Sequence, residues 1–206
     1  MTHHRATMTT PPAIALIEFA GIAAGTRAAD AMVKRAPITT YRFGTVQPGK
    51  FLVLVGGSVA AVEESRREGL AIGGESITDE IFLPDVHEQV FSALEGGRKA
   101  NTGDALGIIE SPLIPATVAA ADKAVKTAEV TIIEVRLGDG LGGKGVTHMC
   151  GAVHDVQAAI EAGVAVFARR GSTPRYTVIP IQHQETRATI ASGTSFFGFR
   201  AGGDVT

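Results

Sequence analysis

Ile14-Ala15-Leu16-Ile17-Glu18 is a short apolar run closed by a carboxylate, and it returns 92 positions later as Leu106-Gly107-Ile108-Ile109-Glu110. At the same offset Ala29-Asp30-Ala31-Met32-Val33-Lys34 returns as Ala121-Asp122-Lys123-Ala124-Val125-Lys126. Pro48-Gly49-Lys50 matches Gly142-Gly143-Lys144, and Gly57-Ser58-Val59-Ala60-Ala61-Val62 matches Gly151-Ala152-Val153-His154-Asp155-Val156, now at an offset of 94. Pro84-Asp85-Val86-His87 then matches Pro180-Ile181-Gln182-His183 at 96. Five ordered matches with a slowly growing offset are the mark of a duplicated domain with short loop insertions. This divides the chain into a loosely held or disordered N-terminal tail at 1–11, a first unit at 12–95, a linker at 96–103, a second unit at 104–193 and a C-terminal tail at 194–206. The linker is polar and glycine-containing, so few contacts are expected to depend on it.

Within one unit, Ile14 to Phe19 suits a buried strand, and Ile22, Thr26, Ala29, Met32, Val33 and Ala36 follow helical spacing until Pro37 stops the helix. Thr39 to Phe43 and Phe51 to Val55 read as strands joined by a turn over Gly44 to Lys50, with Pro48-Gly49 suited to a positive φ. Val59, Val62 and the Glu-rich stretch to Glu68 predict a second helix closed by Gly69. Ile77 to Leu83 follows as a strand and Val86 to Leu94 as a short helix. The order β-α-β-β-α-β is an α+β fold of the split βαβ, ferredoxin-like kind, present twice.

Composition narrows the function classes. A formal charge of −2 argues against a nucleic-acid-binding surface. Each apolar run is cut by Glu, Lys, Gly or Pro well short of the roughly 20 residues a bilayer-spanning helix needs, and residues 1–12 lack the apolar core of a signal peptide. The single cysteine, Cys150, has no partner for an intramolecular disulfide and sits in a strand-like run, as a small core residue would. Taken together these features predict a cytosolic protein.

An apolar strand ending in Ile-Glu, a helix carrying Ala-Asp-x-x-x-Lys, a glycine-containing hairpin and a Gly-x-Val-x-x-Val helix start together resemble the bacterial microcompartment shell domain. Both copies carry the pattern, over about residues 12 to 190, in the unpermuted order of the tandem shell proteins found in propanediol-utilisation compartments. The resemblance implies a homotrimer whose six domains imitate a hexamer, tile edge to edge with hexameric and pentameric shell proteins, and surround a central pore for small polar metabolites. It implies a location in the microcompartment shell within the cytoplasm, with no enzymatic activity, no nucleic acid and no membrane.

On that alignment the pore-lining residues are Thr45, Val46, Gln47, Pro48 and Gly49 in the first loop and Asp139, Gly140, Leu141 and Gly142 in the second. Gln47 supplies an amide, and three copies of Asp139 would concentrate negative charge. The resemblance also implies that Lys34, Arg35 and Lys126 are edge residues, with long stems able to cover apolar surface. By spacing alone, Asp30–Lys34 and Asp122–Lys126 are equally well i,i+4 helical ion pairs. Some similar proteins hold an iron-sulfur cluster on a cysteine in the first loop. Here Gln47 stands at that place, and such clusters need thiolates, so no cofactor or metal is expected.

The remaining chemistry is thin. His3 and His4 belong to the tail, while His148 and His154 form no metal pattern with the other histidines. His87 and His183 are repeat partners, which points to a shared structural task rather than catalysis. Gly138-Asp139-Gly140-Leu141-Gly142-Gly143-Lys144 fails the phosphate-loop template, because Gly145 and a strand follow the Gly-Lys. The rival function is a duplicated α+β small-molecule-binding or sensory module with its ligand in the cleft between domains.

Overall fold

A computed structural model describes residues 10–195. The first half runs β1 (Ala13–Phe19), α1 (Ile22–Arg35), β2 (Thr40–Val46), β3 (Lys50–Gly57), α2 (Val59–Gly73), β4 (Ile77–Leu83) and α3 (Glu88–Leu94). The second repeats it as β5 (Ala105–Ser111), α4 (Ile114–Thr127), β6 (Val130–Leu137), β7 (Gly145–Gly151), α5 (Val153–Ala165), β8 (Arg175–Ile179) and α6 (Gln184–Ser192). Each half folds its strands into one antiparallel sheet, in the orders β2-β3-β1-β4 and β6-β7-β5-β8. That is the order the split βαβ arrangement requires.

Alternation along β1 explains how the two faces of the first sheet are used. Ala13, Ala15, Ile17 and Phe19 face α1 and α2, where they pack with Ala28, Ala29, Met32 and Val62. Ile14 and Leu16 point the other way and join Val90 and Phe91 of α3 with Ile109, Ile114 and Val118 of the second half in one buried cluster. The two halves therefore share a core. A ligand cleft between them, as the sensory-module reading needs, is filled at this place by apolar side chains.

Three expectations need correction. The first hairpin turn is shorter than Gly44 to Lys50, because β2 continues through Gly44, Thr45 and Val46 and leaves only Gln47, Pro48 and Gly49 at the tip. Gly69 does not close α2. It is buried inside the helix, where a Cβ would lie 2.4 Å from Met32 Sδ, and the stop falls at Gly74, with φ 49° and its N–H on Leu70 O. The linker is firmly held as well. Within it Arg98 pairs with Glu134 of β6 and donates to Ile190 O and Ala191 O at the end of α6, and Arg42 binds Leu94 O and Glu95 just before it.

Candidate functional site

The site with the most built-in chemistry is the junction between the halves. Helix α4 starts with no side-chain cap and no acidic residue in its first turn, which leaves backbone N–H groups without intrahelical partners. Two carboxylates from the first half supply them. Glu18 Oε2 accepts from Ile114 N at 2.8 Å, and Asp79 Oδ2 accepts from Ala116 N at 2.8 Å. Both also meet the positive end of the helix dipole. Burial pushes the Asp79 carboxyl above its ordinary value, against the pull of the nearby Arg170 guanidinium.

Glu18 is completely buried, so it requires a counter-charge. Lys50 Nζ lies 2.5 Å from Glu18 Oε1, out of line for a hydrogen bond, and donates instead to Pro112 O at 2.7 Å and Gly143 O at 3.1 Å. One lysine of the first hairpin thus neutralises a strand carboxylate and ties down two carbonyls of the second half. The repeat partners Glu110 and Lys144 form the same kind of pair at 3.6 Å, yet Glu110 is 31% exposed.

The two hairpins lie flank to flank. Gln47 N donates to Asp139 Oδ1 at 3.3 Å. Close approach is possible because Gly138 and Gly143 carry no side chains: a Cβ on the first would sit 2.6 Å from Val46 Cβ, and on the second 2.6 Å from Pro48 Cδ. Gln47, Pro48, Gly49, Asp139, Gly140 and Gly142 are exposed, and Leu141 is half-buried. Thr45 and Val46 belong to β2 rather than to the loop. A cavity of about 740 Å³ beside the second hairpin is lined by Arg98, Glu134, Arg136, Asp139 and Thr194 among others. Burial alone would raise the Glu134 carboxyl. The His148 ring, with Nδ1 3.2 Å from Glu134 Oε1, and hydrogen bonds from Thr194 and Arg98 outweigh it and hold the group at about 2.

The edge residues separate. Lys34 is exposed and pairs with Asp30 at 2.6 Å. Arg35 is engaged by Glu64 at 2.8 Å and Glu68 at 4.0 Å. Lys126 lies at the junction, 2.8 Å from Asp122, and also donates to the Asp85 carbonyl, while Asp122 accepts from His87 N at 2.8 Å. His87 and His183 do share a structural task, since the Nδ1 of each accepts from the backbone N–H two residues on, capping α3 and α6.

Among the described residues no group of three or more His, Cys, Asp or Glu comes together as a metal site, and no helix is long and apolar enough to cross a membrane. Cys150 is buried at the end of β7 away from the hairpin. With Gln47 at the first tip, the loop offers no thiolate, so these residues do not fit an iron-sulfur cluster. His3, His4 and Phe196, Phe197 and Phe199 lie outside the described residues. No local spacing pairs Glu18 with Lys50 in the sequence. The signal was there: two opposite charges, each kept in both repeats on otherwise apolar strands.

Residues 13–86 and 105–182 each match the BMC domain, and the chain belongs to that family. It is a bacterial microcompartment shell protein of the tandem-domain type. It shares 34% identity with the bacterial microcompartment shell protein PduT of Citrobacter freundii, over 88% of this chain and 98% of that one. A microcompartments protein from Desulfitobacterium hafniense has a solved structure that matches with 38% identity and a TM-score of 0.76, over 86% of this chain and 98% of that one. The fused permuted hexameric shell protein MSM0275, at 19% identity and a TM-score of 0.55, over 77% of this chain and 82% of that one, shares the fold.

Proposed function

We propose that three copies of this chain close head to tail into a ring of six domains, which tiles into shell facets and leaves a central passage between the hairpins. One observation carries the reading. Glu18 and Lys50 are covered by the second half of their own chain, whereas the equivalent Glu110 and Lys144 stand open. The surface that would complete them is open too. Ile22, the counterpart of Ile114 at the start of α1, is exposed, and α1 also begins without a side-chain cap. Repeating the internal junction between copies sets Glu110 of one chain on Ile22 N of the next, and Lys34 on the Ile181 carbonyl as Lys126 sits on that of Asp85. Heterologous contacts of this kind form rings when the rotation closes.

In such a ring the hairpins gather at the axis, where Gln47 and Asp139 each occur three times. Three carboxylates favour cations and polar neutral metabolites over anions. Lys34, Arg35 and Lys126 lie towards the outer rim, where further shell proteins, hexameric and pentameric, would meet the disc. The role is structural and selective, in the shell of a compartment in the cytoplasm, with no catalytic step and no bound cofactor.

Native mass spectrometry tests the ring directly. The expected species has three times the 21.3 kDa chain mass, and Glu110→Lys reduces it to single chains. A wild-type chain that stays monomeric at tens of micromolar would sink the proposal.

A further inference from the structure

Among the described residues, the outer strand of the second sheet is covered and that of the first is not. Helix α3 lies along β6, where the Gln89 amide accepts from Ile132 N at 3.0 Å and donates to Val130 O at 3.4 Å, standing in for a missing strand. Val90 and Phe91 share a buried cluster with Ile132 and Val135, which are 1% and 8% exposed. Register gives the equivalents in β2. Tyr41 lies opposite Val55 as Ile132 lies opposite Met149, and Phe43 opposite Val53 as Val135 opposite Thr147. Tyr41 is 63% exposed and Phe43 45%, their rings stacked at 6.2 Å. An outer strand with two bare aromatics and a free hydrogen-bonding edge invites a partner.

We infer that this face of β2 seats helix α6 of a second copy, with Arg187 lying over the Tyr41 and Phe43 rings. The inference rests on the head-to-tail reading and adds its chemistry. Because His87 and His183 cap α3 and α6 alike, Gln89, Val90 and Phe91 correspond to Glu185, Thr186 and Arg187. The apolar face that α3 lays on β6 is thus replaced in α6 by a hydroxyl and a guanidinium. On exposed aromatic rings a guanidinium is the complementary group, since its charge meets the ring face while its stem covers apolar surface. Aromatic residues stand in β2, where α6 would arrive, and aliphatic ones in β6, where α3 does. Glu185 can accept from Tyr41 N as Gln89 accepts from Ile132 N, but has no amide to donate onward. In its own chain Arg187 has one ion pair among the described residues, with the exposed Asp104 at 3.3 Å, and its Nε is buried without an acceptor.

The experiment is a double-mutant cycle on full-length protein, read as the concentration at which the assembly dissociates. The variants are Arg187→Ala, the pair Tyr41→Ser with Phe43→Ser, and all three together, with Asp104→Asn as a control. Each side alone is expected to raise the dissociation concentration by about tenfold or more. Arg187→Ala should add little once both rings are gone, and Asp104→Asn should leave assembly unchanged. Additive losses, an unaffected Arg187→Ala, or an Asp104→Asn that mimics it would overturn the contact. Wild-type protein that never assembles would overturn the head-to-tail reading instead, so the two failures are distinguishable.

Discussion

Lys50 Nζ sits 2.5 Å from the fully buried Glu18 Oε1, and the second half of the chain closes over both. Removing only the lysine leaves a charge in the core. Lys50→Met is expected to cost about 3–5 kcal/mol in urea unfolding, with the Glu18→Gln, Lys50→Met double variant recovering part of it. In the unassembled chain Lys144→Met should cost under about 1 kcal/mol, because its pair with Glu110 is partly solvated.

Acid should act through Glu134. Its folded-state carboxyl, held at about 2 against an ordinary 4.5, contributes stability that is fully present above pH 4.5 and is lost as pH falls towards 2. Glu134→Gln should flatten that limb of the urea midpoint plotted against pH. Asp79 has the opposite sign: with its value raised above 3.8 by burial, it withdraws stability as pH climbs through its titration, and Asp79→Asn removes that loss.

At the hairpins, Gly138→Ala meets two penalties. Its φ is 78°, and the new Cβ would fall 2.6 Å from Val46 Cβ. Gly49, at φ 111°, faces open space. Gly49→Ala should therefore cost about 1–2 kcal/mol and Gly138→Ala more, and differential scanning calorimetry should rank their Tm values in that order.

The two matched lysines should behave differently. Lys34→Ala removes an exposed i,i+4 pair and should change chain stability by under about 0.5 kcal/mol, while reducing sheet formation seen by electron microscopy. Lys126→Ala leaves the buried Asp122 short of its counter-charge, and about 1–3 kcal/mol of destabilisation is expected in chemical denaturation.

The repeat and the order of its elements were legible because alternation and helical spacing are local signals. Ile14 to Phe19 and Ile77 to Leu83 read as strands from their apolar runs alone. Glycine was the weak point. Gly44 looked like a turn but continues β2, and Gly69 looked like a helix stop but makes room for Met32. The junction was hidden for a different reason: Glu18 caps Ile114, 96 residues away, and such a pairing has no periodicity. Arg98 escaped because a glycine-containing polar stretch reads as loose until its partners at Glu134, Ile190 and Ala191 are seen.

Arg42 on Glu95 and Arg98 on Glu134 fasten the connecting segment to both sheets, which holds the internal junction at an effective concentration of the order of millimolar or above. Junctions between separate molecules have no such tether and must form from free encounter. On the proposed head-to-tail closure, drift in sequence should thus be tolerated more readily around Asp85 and Lys126 than around Lys34 and Ile181, which would have to meet without a tether.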